Sequence, residues 1–157
     1  MTQPKSKRVP RAVREQEMLD AAVEVFARDG YHPAGVNEIA QIAGISKPMV
    51  YLYFGSKEEL FVACIRREAA RLREMIGRSV GDADAPPRDQ LWSALRAFFG
   101  FVAEHRGAWS VLVRRARAQG SPVSDEVAEL RDQMVDTIAV LLVRAAAGAE
   151  QTPAPPG

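Results

Sequence analysis

One cysteine and two histidines are all that this 157-residue chain offers of the side chains most often used to bind metals or attack substrates. A lone thiol cannot close an intramolecular disulfide, which fits a reducing compartment. Two isolated histidines, His32 and His105, make no metal site, so neither metal nor cofactor is expected. The chain also lacks a Gly-rich phosphate loop, a nucleophile beside a base and a paired-carboxylate pattern, so catalysis is not expected. Apolar runs fall short of the ~20 residues that cross a bilayer. No cleavable leader is recognisable, and the expectation is a cytoplasmic protein with no membrane partner. Charge excess of either sign is missing too. Lys and Arg number 21 against 20 Asp and Glu, and the resulting +1 says nothing for or against nucleic acid.

Helix is what the chain has. Nearly half of the residues are apolar (47%) and 26% are charged, the balance of a globular protein with a core. No alternating strand pattern and no repeat stands out. Residues 11 to 29 place Leu19, Ala22, Val23 and Phe26 on one stripe, with Arg14, Glu17, Asp20 and Glu24 outside it. Gly30 ends that helix. Further helices are expected over 36–43, 47–53, 57–80, 88–105, 108–119 and 124–147, separated by glycine- and proline-rich breaks such as residues 81–87 and 120–122. Cys64 falls on the apolar face between Leu60 and Leu72, as a small core residue would.

The most informative stretch is residues 36–57, VNEIAQIAGISKPMVYLYFGSK. Ile39, Ala40 and Ala43 form one apolar face, and Gly44 supplies the positive φ of a tight turn. Ala40 is small enough for two helices to cross closely, and Ser46 is placed to cap the second. Pro48 is tolerated in that helix's first turn, where the amides have no intrahelical partner. This is the pattern of a helix-turn-helix, whose second helix lies in the DNA major groove. A plain helical corner in an all-α protein gives the same two-helix pattern, and the residues after the turn weigh against it.

Those residues, GISKPMVYLYFGSKEELF, resemble the DNA-binding segment of the TetR family of bacterial transcriptional regulators, and the resemblance covers about residues 11 to 65. It implies an all-α chain: a basic arm (1–10), a three-helix helix-turn-helix domain (11–56), a helical regulatory and dimerisation domain (57–147) and a Pro/Ala-rich tail or linker (148–157). The family normally adds a further helix pair that builds much of the dimer interface. None is recognisable after residue 147, so the second domain is expected to be truncated here. In the family, the positions of Tyr51, Tyr53 and Lys57 meet the DNA backbone. Lys47, Pro48 and Met49 open the second helix and are the candidates for reading bases. Lys47 can donate to guanine, while Pro48 and Met49 can touch a thymine methyl. A phosphate contact is the competing role for Lys47. The Ser46 hydroxyl can reach phosphate if it is not spent on capping. Gly35 stands where the family usually has Ser or Thr, and Glu38 is placed to bond back to the opening turn instead. Lys5, Lys7, Arg8, Arg11 and Arg14 form a cationic arm that can track phosphates or stay solvated.

The resemblance further implies a ligand-responsive repressor that binds a near-palindromic operator in double-stranded DNA as a homodimer. For the effector, Trp92, Phe99, Trp109 and Met134 are candidates to line a pocket for an apolar or aromatic small molecule. Rings at that spacing also serve as plain core, as they do elsewhere on the same helix. A helical interaction module that pairs with a longer relative is the contrasting reading.

Overall fold

The computed structural model describes residues 10–80, 85–107, 110 and 122–150, and side chains of the last helix only in part. Most of the arm, the helix expected over 108–119, Trp109 and the tail beyond residue 150 lie outside the described residues, as does the Met134 side chain. Among the described residues six helices follow in order: α1 (Arg11–Asp29), α2 (Val36–Ile42), α3 (Lys47–Phe54), α4 (Lys57–Ser79), α5 (Pro87–Glu104) and α6 (Pro122–Glu150). Among the described residues there is no strand, and no helix is long and apolar enough to cross a membrane. The chain divides into two units, residues 1–64 and 65–157.

The first unit is built on the apolar stripe of α1. Met18, Leu19, Ala22, Val25 and Phe26 are buried along with Val36, Ile39 and Ala40 of α2, Val50 of α3, and Leu60, Phe61 and Cys64 of α4. Phe26 meets Phe61 edge to face at 4.8 Å, and Tyr31 tilts over Phe61 at 5.0 Å, so the α1–α2 connector is closed by rings. The Cys64 thiol donates to the Leu19 carbonyl at 3.9 Å, in keeping with a small core residue.

The turn between α2 and α3 is tight because Gly44 takes φ +66° and the Ile45 amide donates to the Ala40 carbonyl at 2.9 Å. Two expected caps are absent. Ser46 sits at the N-cap of α3 with extended backbone, but its side chain makes no capping hydrogen bond. The Glu38 carboxylate does not bond back to the opening turn. It accepts from Arg28 of α1 at 2.7 Å, because the guanidinium of a charged partner outcompetes a backbone amide. Arg28 also grips Asp29, and that hydrogen bond holds the Asp29 carboxyl below the usual carboxylate range. A true cap appears at α4, where Ser56 Oγ accepts from the Glu59 amide at 3.0 Å.

In the second unit α5 packs on α6. Pro86 and Pro87 start α5, and the buried Gln90 side chain donates to the Ala85 carbonyl at 2.8 Å, which closes the loop behind it. Phe101 is buried and stacks on His105 at 4.7 Å, at the helix end. On α4, Leu72 is buried as expected. So is Glu68, which pairs with Arg67 at 2.7 Å and Arg71 at 3.2 Å.

Nothing lies within 4 Å of where a Cβ on Gly44 would stand, so a side chain there meets only backbone strain. Gly44→Ala is expected to cost about 1–2 kcal/mol. Gly44→Asn, which tolerates the left-handed region, should cost less, and urea unfolding of the two variants checks the order.

Candidate nucleic-acid interface and effector cavity

Helix α3 is eight residues long, and Val50 is the fully buried one among them. The opposite face is therefore free. Lys47, Pro48, Tyr51 and Leu52 are exposed on it, with Ser46 at its start, while Met49 is half-buried. Spacing of four residues stacks these side chains in two columns. In one, the Lys47 ammonium lies 5.9 Å from the centre of the Tyr51 ring. In the other, Pro48 precedes Leu52.

Four of the expected contact residues, Ser46, Lys47, Pro48 and Tyr51, thus share one exposed surface. Cations, hydroxyls and an apolar edge meet there, the mixture that phosphate positioning and base reading require. Tyr53 is placed differently. It is half-buried, and the Arg11 guanidinium lies 5.0 Å from its ring centre, so an arginine from the start of α1 backs this tyrosine.

Lys57 opens α4 and reaches the α1–α2 connector. Its ammonium donates to the His32 carbonyl at 3.0 Å and lies 4.9 Å from the centre of the Tyr31 ring. Desolvation pulls its pKa below the ordinary lysine value. An ammonium has three donors, so the bond to His32 leaves others for a phosphate.

Leu52 was not among the residues expected to matter. It is 73% exposed, against 37% for Tyr51. The signal was available in the helical period: if Val50 faces inward, a residue two further on cannot.

The second unit holds a cavity of about 460 Å³ among α4, α5 and α6. Ile76, Val80, Leu95, Phe98, Phe99 and Ile138 are among its walls, and Arg73 and Thr137 are its polar members. Arg73 donates to Gln133 at 3.3 Å. Of the residues expected in a pocket, Phe99 takes part. Trp92, 62% exposed, is not among the lining residues.

Comparison with known proteins gives a consistent result for both units. The family model of bacterial regulatory proteins, tetR family, matches residues 18–64, and a model of a tetracyclin repressor-like C-terminal domain matches residues 87–155. A TetR-like transcriptional regulator from Rhodococcus sp. RHA1 has 48% identity and a TM-score of 0.78, over 88% of this chain and 74% of that one. The HTH-type transcriptional activator FasR of Mycolicibacterium smegmatis is 32% identical over 137 residues, which is 87% of this chain and 62% of that protein. This chain therefore spans less than two thirds of FasR. The transcriptional regulator FadR of Bacillus subtilis, solved in complex with stearoyl-CoA, shares the fold at TM-score 0.74 and 22% identity, over 90% of this chain and 75% of that one.

Because the Lys57 ammonium joins α4 to the α1–α2 connector, Lys57→Met should destabilise the first unit by about 1 kcal/mol through the lost hydrogen bond and ring contact. A thermal melt checks this, with Lys57→Arg expected to recover part of the loss.

Proposed function

The chain belongs to the TetR family of bacterial regulatory proteins, and we propose that it acts as a ligand-responsive transcriptional repressor, binding a near-palindromic operator as a homodimer. The observation that carries this reading is the free face of α3, where Lys47, Pro48 and Tyr51 stand together opposite the buried Val50. A helix so anchored can enter a major groove without disturbing its own core. Tyr51 supplies a hydroxyl for phosphate and Lys47 a donor for guanine O6 or N7. Lys57 adds a backbone contact while holding the connector. Tyr53, backed by Arg11, offers its hydroxyl beside them.

One such helix reads few base pairs. Two-fold pairing doubles the site and gives it dyad symmetry. The α6 surface supports this pairing, because Val135, Val140, Leu142 and Val143 are exposed on it.

The cavity is the effector site in this reading. Its volume fits a small molecule, and its walls favour an apolar one. The stearoyl-CoA bound to the Bacillus subtilis protein has a long apolar chain, which supports an acyl compound as the first effector to try. Helix α4 carries both Lys57 of the first unit and the cavity residues Arg73 and Ile76. A ligand that binds one arrangement of α4 better than another shifts the DNA-binding equilibrium by that difference in affinity.

Selection from a randomised duplex library followed by gel shift tests the DNA-binding claim. Sites with dyad symmetry are expected, and sites without it would count against a two-fold dimer. Tyr51→Phe should weaken all duplexes alike. Lys47→Ala should in addition reduce the ratio between selected and random sequence by about 5- to 150-fold per half-site. A lower salt slope with unchanged preference would make Lys47 a phosphate contact.

Titration of the protein–operator complex with stearoyl-CoA tests the effector claim. Release is expected, and Ile138→Trp, which fills the cavity, should blunt the release while leaving operator affinity intact.

A further inference from the structure

Leu52 is the most exposed large apolar side chain among the described residues. It belongs to α3, the helix whose other flank is fixed by Val50, so its exposure follows from the register of the helix and not from fraying at a chain end. Pro48, one turn earlier, is exposed beside it. The two form an apolar ridge that runs parallel to the Lys47–Tyr51 column. The face is therefore divided lengthwise, with donors along one edge and hydrocarbon along the other.

We propose that Leu52 reads a thymine, by packing its isobutyl group on the 5-methyl that thymine displays in the major groove. The assignment rests on the DNA-binding reading above and deepens it. A leucine side chain has no hydrogen-bonding atom, so it can neither hold a phosphate nor pair with a base edge. In the major groove the apolar group that distinguishes one base pair from another is the thymine methyl. Covering that methyl removes apolar surface of both partners from water, whereas cytosine at the same place offers only a C5 hydrogen beside its amine and leaves Leu52 largely uncovered. Four residues of α-helix rise about 6 Å, so Leu52 meets a different base pair from the one that Pro48 reaches. Lys47 and Leu52 then divide the reading between a donor-sensitive position and a methyl-sensitive one.

The test uses the wild-type chain and the site obtained from a randomised duplex library. Each thymine of that site is replaced singly by deoxyuridine, which removes the methyl and nothing else. Wild type should lose about four-fold in affinity at one thymine of each half-site, the worth of one buried methyl. Leu52→Ala should bind the thymine and deoxyuridine duplexes alike at that position and keep its response at every other. As the side chain is exposed, the variant should melt like wild type, and the wild-type scan stands without it.

A full methyl response retained by Leu52→Ala would overturn the assignment, as would a wild-type site at which no thymine methyl matters. Either of these leaves salt-sensitive duplex binding in place, so the DNA-binding reading survives them. Absence of binding to any duplex would overturn both together.

Discussion

The packing of Val50 is the contact on which the interface depends. An eight-residue helix has little stability of its own in water, since nucleation costs more than so few hydrogen bonds return. Helix α3 persists because Val50 is buried against the rest of its unit and because the chain can turn sharply at both ends. Gly44 at φ +66° and Gly55 at φ +76° supply those turns, and the Glu59 carboxylate occupies the space where a Cβ on Gly55 would be. With the ends and one side chain fixed, the rotation of α3 about its axis is fixed as well. A shift of one residue would carry Tyr51 inward and bring Val50 to the surface. The exposed columns of Lys47 with Tyr51 and Pro48 with Leu52 are therefore a consequence of core packing and need no interaction of their own to hold them.

Charge reinforces the choice of face. The chain's net charge is close to neutral, so an attraction for DNA cannot come from the molecule as a whole. On the first unit, Glu17, Asp20 and Glu24 of α1 surround a shallow depression with Ile42 and Ala43. A phosphate backbone laid there would meet carboxylates. In the first unit three cations lie against aromatic rings: Arg11 at Tyr53, Lys47 at Tyr51 and Lys57 at Tyr31. Each ring lends its π face to a charge that remains available to solvent or to a phosphate. In the proposed DNA-binding reading, repulsion at the acidic depression and attraction around α3 would orient an approaching duplex before any base is read.

Much of this was legible in the residues, and what was not has a common cause. Helix positions followed from apolar spacing and from glycine and proline, as at Gly30, Gly44 and Pro86 with Pro87. The burial of Leu60, Cys64 and Leu72 followed from the same spacing. Local rules failed where a partner distant in sequence competed for a group. Glu38 was expected on its own backbone and went to Arg28, ten residues away. Lys57, expected at the DNA backbone, also donates to the His32 carbonyl, twenty-five residues away, a bond that no local rule announces. Glu68 gave no sign of being buried, because its cover depends on tertiary packing while a charged residue on an amphipathic helix reads as solvent-facing. Trp92 erred in the opposite sense. A large ring suggests a pocket, yet its position on α5 turns it to solvent while Phe98 and Leu95 line the cavity.

Helix α6 brings the regulatory and assembly requirements onto one element. Ile138 and Leu141 line the cavity, and α6 packs against α5. Val135, Leu142 and Val143 lie at spacings of seven and eight residues and are exposed. A helix with a single apolar stripe has one job, whereas two stripes require two partners. If the second stripe is covered by its symmetry mate, as proposed, the same helix that encloses the effector also sets how two DNA-binding units are joined. A ligand that moves Ile138 and Leu141 by a fraction of a side chain must then either strain α5 or shift the neighbouring stripe, because close-packed contacts on both leave no slack to absorb the change. Sensing and spacing are coupled on that account through one helix.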